Sequence, residues 1–150
     1  MIAVVQRVKS AKVGLNDHPD QSSSIGPGLI VLLGVGSDDT ETDVSKLTSK
    51  LLKLRILSDK ADKMNLSILE KRQEVMVISQ FTLIADLKGG NRPSFIKAAP
   101  PEVAKKYYEK FISDLVAAGI PTKQGFFGGY MIIDLVLDGP VTIVLDSKKL

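Results

Sequence analysis

Val75-Met76-Val77-Ile78-Ser79-Gln80-Phe81-Thr82-Leu83 begins as an apolar strand, then sets a hydroxyl, an amide, an aromatic ring and a second hydroxyl where the apolar run should continue. Four consecutive apolar residues read as a strand buried on both faces. Polar groups at its end must be satisfied inside the protein or face something polar, because burying them unpaired costs free energy. On one reading Ser79 and Thr82 bond to backbone and Phe81 fills core; on the other, the segment lines a binding site. Period-2 geometry puts Ser79 and Phe81 on one face and Gln80 and Thr82 on the other, unless the strand ends or bulges here.

Upstream, Leu29 to Val35 is a second wholly apolar run and a second buried strand. The first fifteen residues, with Val4, Val5, Val8 and Val13, read as strands broken near Ser10, and Asn16–Ser24 as a polar loop. Asp38-Asp39-Thr40 caps a helix from Glu41 to about Arg55 whose apolar face is Val44, Leu47, Leu51 and Leu54. Ser58–Lys63 is a turn and Met64–Leu69 is ambiguous. Downstream, Pro100-Pro101 opens a second helix with Val103, Tyr107, Phe111, Leu115 and Ala118 as its apolar face, closed by Gly119 and Pro121. Strands follow at 122–126, 130–137 and 141–145, the last two joined by an Asp138-Gly139-Pro140 turn. The order predicts one α+β domain over residues 1–150, with a largely antiparallel, barrel-like sheet and two main helices packed on it.

Composition narrows the chemistry. The chain has 150 residues, 44% of them hydrophobic and 25% charged, the balance of an ordinary globular protein. There is no cysteine, which removes thiolate nucleophiles, disulfides and cysteine zinc sites. The single histidine, His18, lies among turn-forming residues and reads as a surface residue, so neither a Ser-His-Asp triad nor a multi-histidine metal site is expected. No metal or cofactor is called for. The carboxylate pairs Asp38-Asp39 and Asp59 with Asp62 sit at turns and helix starts, where capping explains them. The start of the chain lacks signal-peptide organisation and no apolar run reaches about 18 residues, so a cytoplasmic protein without a membrane partner is expected.

The formal charge is +3 with a pI of about 9.1, compatible with nucleic acid but not diagnostic of it. Between Leu87 and Pro93, Gly89-Gly90 is flanked by Lys88 and Arg92. The loop reads either as a solvated turn or as a phosphate contact, and it matches neither a P-loop nor a dinucleotide fingerprint.

Taken together, Ser79-Gln80-Phe81-Thr82 and Gly139-Pro140-Val141-Thr142 resemble the two signature motifs of the D-aminoacyl-tRNA deacylases, also called D-tyrosyl-tRNA deacylases. Met1–Val8, Ile25–Leu29, Leu33–Val35, Lys63–Ser67, Arg92–Phe95 and Ala98–Pro101 are similar to that family in order and spacing, so the resemblance spans the chain. It departs at Leu137, where the family usually has asparagine, at Asn16–Ser24, which is longer than usual, and at Gly125–Gly129.

The resemblance implies an ester hydrolase that releases D-amino acids, and glycine, from mischarged tRNA as a homodimer. Ser79, Gln80, Phe81 and Thr82 of one chain would form the catalytic pocket, completed by a cis Gly139-Pro140 peptide of the other. Arg7 matches the arginine that holds this peptide, Met131 a methionine near the substrate, and Lys88 and Arg92 would contact tRNA. Two carbonyls on the same side of a cis bond can accept from the substrate ammonium while crowding the volume of an L side chain. Thr82 as nucleophile lacks a neighbouring base. Water attack, with backbone N–H groups near Phe81 and Thr82 stabilising the oxyanion and the terminal ribose hydroxyl assisting, needs none. A non-catalytic nucleic-acid-binding protein of the same fold is the alternative.

Overall fold

In the computed structural model, which describes Met1 to Leu150 apart from the side chain of Pro19, the sheet is built around its first strand. Strand β1 (Ile2–Leu15) pairs antiparallel along both edges. One edge takes β2 (His18–Ile25) against Ala11–Leu15 and β3 (Gly28–Gly34) against Ile2–Val8. The other takes β8 (Met131–Asp146). β3 pairs in parallel with β6 (Glu74–Ser79), and β6 in parallel with β7 (Thr122–Gln124). The expected α+β fold with a barrel-like sheet is therefore present; the β6 pairings are parallel because each neighbour is reached through a crossover containing a helix.

The strands β3 and β6 are apolar throughout because both faces are buried. Leu29, Val31, Leu33, Val75 and Val77 pack under helices α1 (Glu41–Lys53) and α3 (Pro101–Ala117). Ile30, Met76 and Ile78 face the opposite way, into a second cluster with Val8, Ala11 and Val13. The break expected near Ser10 is a bulge: Val8 pairs with Leu137 and Ser10 with Val136, so Lys9 is an extra residue on β1. One inserted residue inverts the alternation, which is why Ala3 and Val5 face the helices while Ala11 and Val13 face the second cluster.

Several expected boundaries are corrected. Most of the polar segment Asn16–Ser24 is strand β2, at the sheet edge, where backbone pairing with β1 rather than an apolar face holds it. Helix α1 ends at Lys53 and leads into the small hairpin of β4 (Arg55–Ser58) and β5 (Met64–Ser67), then the one-turn helix α2 (Ile68–Lys71). In α3 the buried residues are Tyr108, Phe111 and Leu115, while Val103 is exposed and Tyr107 half-buried. Steps of four residues advance about 400°, so a face read as 103, 107, 111 drifts about 40° per step away from the true one. No helix is long and apolar enough to cross a membrane among the described residues.

The start of α1 is tied to the end of the chain through Asp43, which is buried. Its carboxylate accepts from the Thr40 N–H at 2.9 Å, the Thr40 hydroxyl at 2.9 Å and the Ser147 hydroxyl at 2.7 Å, and Lys148 Nζ lies 3.2 Å away. Burial works to raise the Asp43 pKa, but these donors outweigh it and hold the group far below the usual carboxylate range. A depressed folded pKa contributes stability above the unfolded value near 3.9, lost as pH falls through and below it. Asp43→Asn is therefore expected to cost about 2 kcal/mol at pH 7, the scale of a hydrogen-bonded charge. At about 2–4 °C per kcal/mol this lowers Tm by about 4–8 °C. Thermal melts from pH 7 to pH 3 check it, because the gap between variant and parent should shrink toward acid.

Candidate active site

Strand β6 stops at Ser79, level with Leu33 of β3, and the chain turns at once into a 3-10 helix, Phe81–Ile84. The Gln80 N–H closes the ladder on the Leu33 carbonyl at 2.8 Å, and the turn begins with the Leu83 N–H on the Gln80 carbonyl. The alternating faces considered from the sequence therefore do not exist beyond Ser79. The turn sits against Gly34, where a Cβ would lie 2.9 Å from the Gln80 carbonyl oxygen and 3.0 Å from Leu83 Cβ. From the helix side, the buried Tyr108 hydroxyl donates to the Val77 carbonyl at 2.8 Å, fixing β6 two residues before Ser79.

This arrangement exposes what a core would hide. Phe81 is 57% exposed and meets Phe95 edge to face, with ring centroids 5.0 Å apart. The Gln80 side-chain amide donates to the Thr82 hydroxyl. The N–H groups of Phe81 and Thr82 precede the first bond of the turn and have no acceptor among the described residues. They are the donors a short helix presents at its start. Phe95 and Gly34 lie in segments whose sequence resembles the family, yet no spacing in the sequence assigns them these contacts.

Met131 reaches this region because the sheet curls. Its sulfur accepts from the Phe126 N–H at 3.3 Å, and a Cβ on Gly125 would lie 2.9 Å from that sulfur and 2.7 Å from Ile78 Cδ1. Beyond the turn, Asp86 and Ser94 exchange backbone hydrogen bonds at 2.8 and 2.9 Å, closing the loop that carries Lys88 and Arg92, both exposed. Lys97 Nζ at 2.8 Å and the Lys88 N–H at 3.0 Å hold the Asp86 carboxyl below its ordinary range. Ile84, Lys88 and Lys97 help line an open depression of about 530 Å³ beside the turn.

Gly139-Pro140 is not a hairpin turn. β8 runs on through it, with Thr142 paired to Gln6 and Leu137 to Val8. Residues 138–141 thus stand opposite Arg7 alone and are pushed out of the sheet. The Gly139–Pro140 bond is cis and Gly139 has φ +126°. Arg7 backs the bulge: Nε donates to the Asp138 carbonyl at 3.1 Å and pairs with the Asp138 carboxylate at 3.0 Å, while Nη1 donates to the Ile56 carbonyl at 2.9 Å. Ile56 is a partner no sequence motif announced.

The two signature segments do not meet within one chain. Ser79 is level with Leu33 and Ala3, the bulge with Arg7, and β3 and β1 lie between β6 and β8. They are four residues out of level and three strands apart, roughly 20 Å measured along the sheet. Met131 belongs with the Ser79–Thr82 end; Arg7, Gly139 and Pro140 form the other. No cluster of three or more potential metal ligands occurs among the described residues.

The chain is similar to known proteins over nearly its whole length. The model of the family described as D-Tyr-tRNA(Tyr) deacylase matches residues 4–146. A D-aminoacyl-tRNA deacylase of Thermosipho africanus is 47% identical over 149 residues, covering 99% of each chain. One of Desulfatibacillum aliphaticivorans is 49% identical over 148 residues, covering 99% of this chain and 100% of the relative. Among solved structures, the c-Myc DNA Unwinding Element Binding Protein superposes with a TM-score of 0.88 at 39% identity, covering 97% of this chain and 98% of that one. A probable eukaryotic D-amino acid tRNA deacylase has a TM-score of 0.84 at 17% identity, covering 96% and 97%, a likeness of fold. With the strand-end turn, the cis Gly-Pro bulge and whole-length similarity all in one chain, the protein belongs to the D-Tyr-tRNA(Tyr) deacylase family.

Proposed function

We propose that the protein hydrolyses the ester linking a D-amino acid to tRNA, and likewise frees glycine from mischarged tRNA, as a cytoplasmic homodimer with two shared pockets. The observation that carries the shared pocket is the pairing register, which sets the two signature segments of one chain three strands apart and four residues out of level. A second chain bridges that gap by bringing its own bulge to Ser79–Thr82. β8 supports this, since its outer edge pairs with no strand among the described residues and Ile132, Val136, Leu137 and Val144 on it are exposed. An unpaired edge with apolar side chains calls for a cover.

In this pocket water attacks the ester carbonyl carbon, the oxyanion is held by the Phe81 and Thr82 N–H groups, and the ribose oxygen leaves with a proton. The products are free D-amino acid and tRNA. No cofactor takes part. Thr82, whose hydroxyl accepts from the Gln80 amide, positions rather than attacks. Gly139 and Pro140, braced by Arg7, fill the volume an L side chain would need, and Met131 lies against the apolar end of the site. Leu137, at the foot of the bulge, pairs with Val8 and exposes an apolar side chain where the family usually has an amide. Rejection by fixed backbone reaches beyond the about 1–3 kcal/mol that methylene-scale pocket differences give.

The test is release of labelled tyrosine. D-Tyr-tRNA is expected to be deacylated at least about 10⁴-fold faster than L-Tyr-tRNA, a difference of about 5.5 kcal/mol. Equal rates would remove the chirality argument. The similarity to a DNA unwinding element binding protein keeps one other reading in view, a nucleic-acid binder without activity. That reading requires salt-dependent tRNA binding with no amino acid released.

A further inference from the structure

The cations of the two main helices are distributed differently. On α3, Lys105, Lys106 and Lys110 each have a carboxylate partner, Glu109 at 3.8 Å, Glu41 at 2.9 Å and Asp114 at 3.0 Å. On α1, Lys46, Lys50 and Lys53 are exposed and have no carboxylate within 4.0 Å among the described residues. These three recur at steps of four and three residues, so they share one face of the helix over about 10 Å. Arg55 extends the row past the helix end, its guanidinium held by the backbone carbonyl and side-chain oxygen of Asn65, which are neutral acceptors. The four cations, with the hydroxyls of Thr42 and Ser49, line a groove of about 750 Å³ that Leu150, the last residue of the chain, also borders and that no Asp or Glu among the described residues lines.

Two of these lysines complement the negative end of the α1 dipole, which explains cations in the last turn. It does not explain Lys46 in the middle of the helix, Arg55 beyond it, or the absence of Asp and Glu side chains from the groove lining. With a formal charge of only +3 overall, such a row is a local concentration of positive charge. Its repeat along a line fits an extended polyanion better than a single small anion.

We infer that the α1 groove is the track for the sugar-phosphate backbone of the tRNA body, apart from the pocket that holds the aminoacyl end. The inference rests on tRNA being the substrate and supplies a contact surface that Lys88 and Arg92 alone do not. Position supports it. α1 returns along β3, so its Lys53–Arg55 end lies by Ile56, whose carbonyl holds Arg7 behind the Gly139-Pro140 bulge. The groove therefore flanks the bulge, and tRNA lying in it leads to the pocket that this bulge completes on the second chain.

The triple variant Lys46→Gln/Lys50→Gln/Lys53→Gln tests it, with Lys105→Gln/Lys106→Gln/Lys110→Gln as the charge-matched control. Lys110 is half-buried and the other five side chains are exposed, and glutamine keeps helix propensity, so both variants should fold, which circular dichroism verifies. At about 0.1 M salt the α1 variant is expected to bind deacylated tRNA about 10-fold or more weakly, with a salt slope shallower by about 0.9 per lost phosphate contact. Its KM for D-Tyr-tRNA should rise in step, with kcat unchanged and hydrolysis of D-tyrosyl-adenosine, which has no tRNA body, unaffected. Unchanged tRNA binding would overturn the inference and make an acidic protein the better occupant. An equal loss in the α3 control would also overturn it, by reducing the effect to net charge. Lost tRNA binding in the α1 variant, with no tyrosine released even by the parent, upholds the groove and rejects the hydrolase reading instead.

Discussion

Gly139→Ala is expected to lower kcat/KM for D-Tyr-tRNA by about 100-fold or more while leaving a folded protein. At φ +126° the residue occupies backbone space that L side chains rarely adopt. An added Cβ would also lie 2.8 Å from Val141 Cγ2, 2.9 Å from the Val141 nitrogen and 3.3 Å from Arg7 Nη2. Relief requires the bulge or Arg7 to move, and Arg7 is anchored at Asp138 and Ile56. The strain is about 1–3 kcal/mol, within the 5–15 kcal/mol that keeps a domain folded. Function is less tolerant, because a misplacement of about 1 Å can cost about 100-fold in rate. The D-to-L preference should narrow as well, since the displaced element is the one proposed to exclude L side chains. Gly128→Ala separates the two causes: φ is +73° there but nothing lies within 4 Å, so it should lose stability and keep activity. Steady-state kinetics on both enantiomers and a thermal melt of each variant decide the matter; full activity in Gly139→Ala would take the bulge out of the pocket.

What the sequence made legible follows from how local its determinants are. The buried strands β3 and β6 could be read because burial on both faces leaves an unbroken apolar run, and α1 because Asp38-Asp39-Thr40 precedes a periodic apolar face. Strand β2 could not, since a polar edge strand owes its existence to pairing with β1 and its side chains carry no pattern. Asp138-Gly139-Pro140 has the composition of a hairpin turn. That both flanking segments pair with the same strand is a tertiary fact with no local signature. At Ser79 the polar residues were conspicuous, but whether the strand stopped or continued depended on Gly34 of another strand. The resemblance thus pointed to candidate site residues, whereas their places in the sheet, three strands apart and four residues out of level, emerged only from the pairing register.

Phe81→Pro is expected to reduce kcat on D-Tyr-tRNA by about 10²–10³-fold, the cost of deleting one oxyanion donor. Phe81 opens the 3-10 turn, a position where proline supplies a suitable φ and removes only an N–H that the turn does not use. Phe81→Ala loses the ring against Phe95 but keeps the N–H, so it should fall less than about 10-fold if the backbone donor dominates. Thr82→Ala should be similarly mild; a loss as deep as that of Phe81→Pro would restore threonine as the nucleophile. Phe81→Pro and Gly139→Ala then damage two separate segments of a chain, roughly 20 Å apart measured along the sheet. If each pocket takes one end from each chain, a dimer of one Phe81→Pro and one Gly139→Ala chain has one pocket with both defects and one with neither. Random mixing makes about half the dimers mixed, so two nearly inactive proteins should together regain about 25% of parental activity. Differently tagged chains, co-expressed and purified through both tags, isolate the mixed dimer and should show about half the parental rate. Mixed dimers that form but stay inactive would mean that each chain works alone, and the distance between its two motifs would then need another explanation.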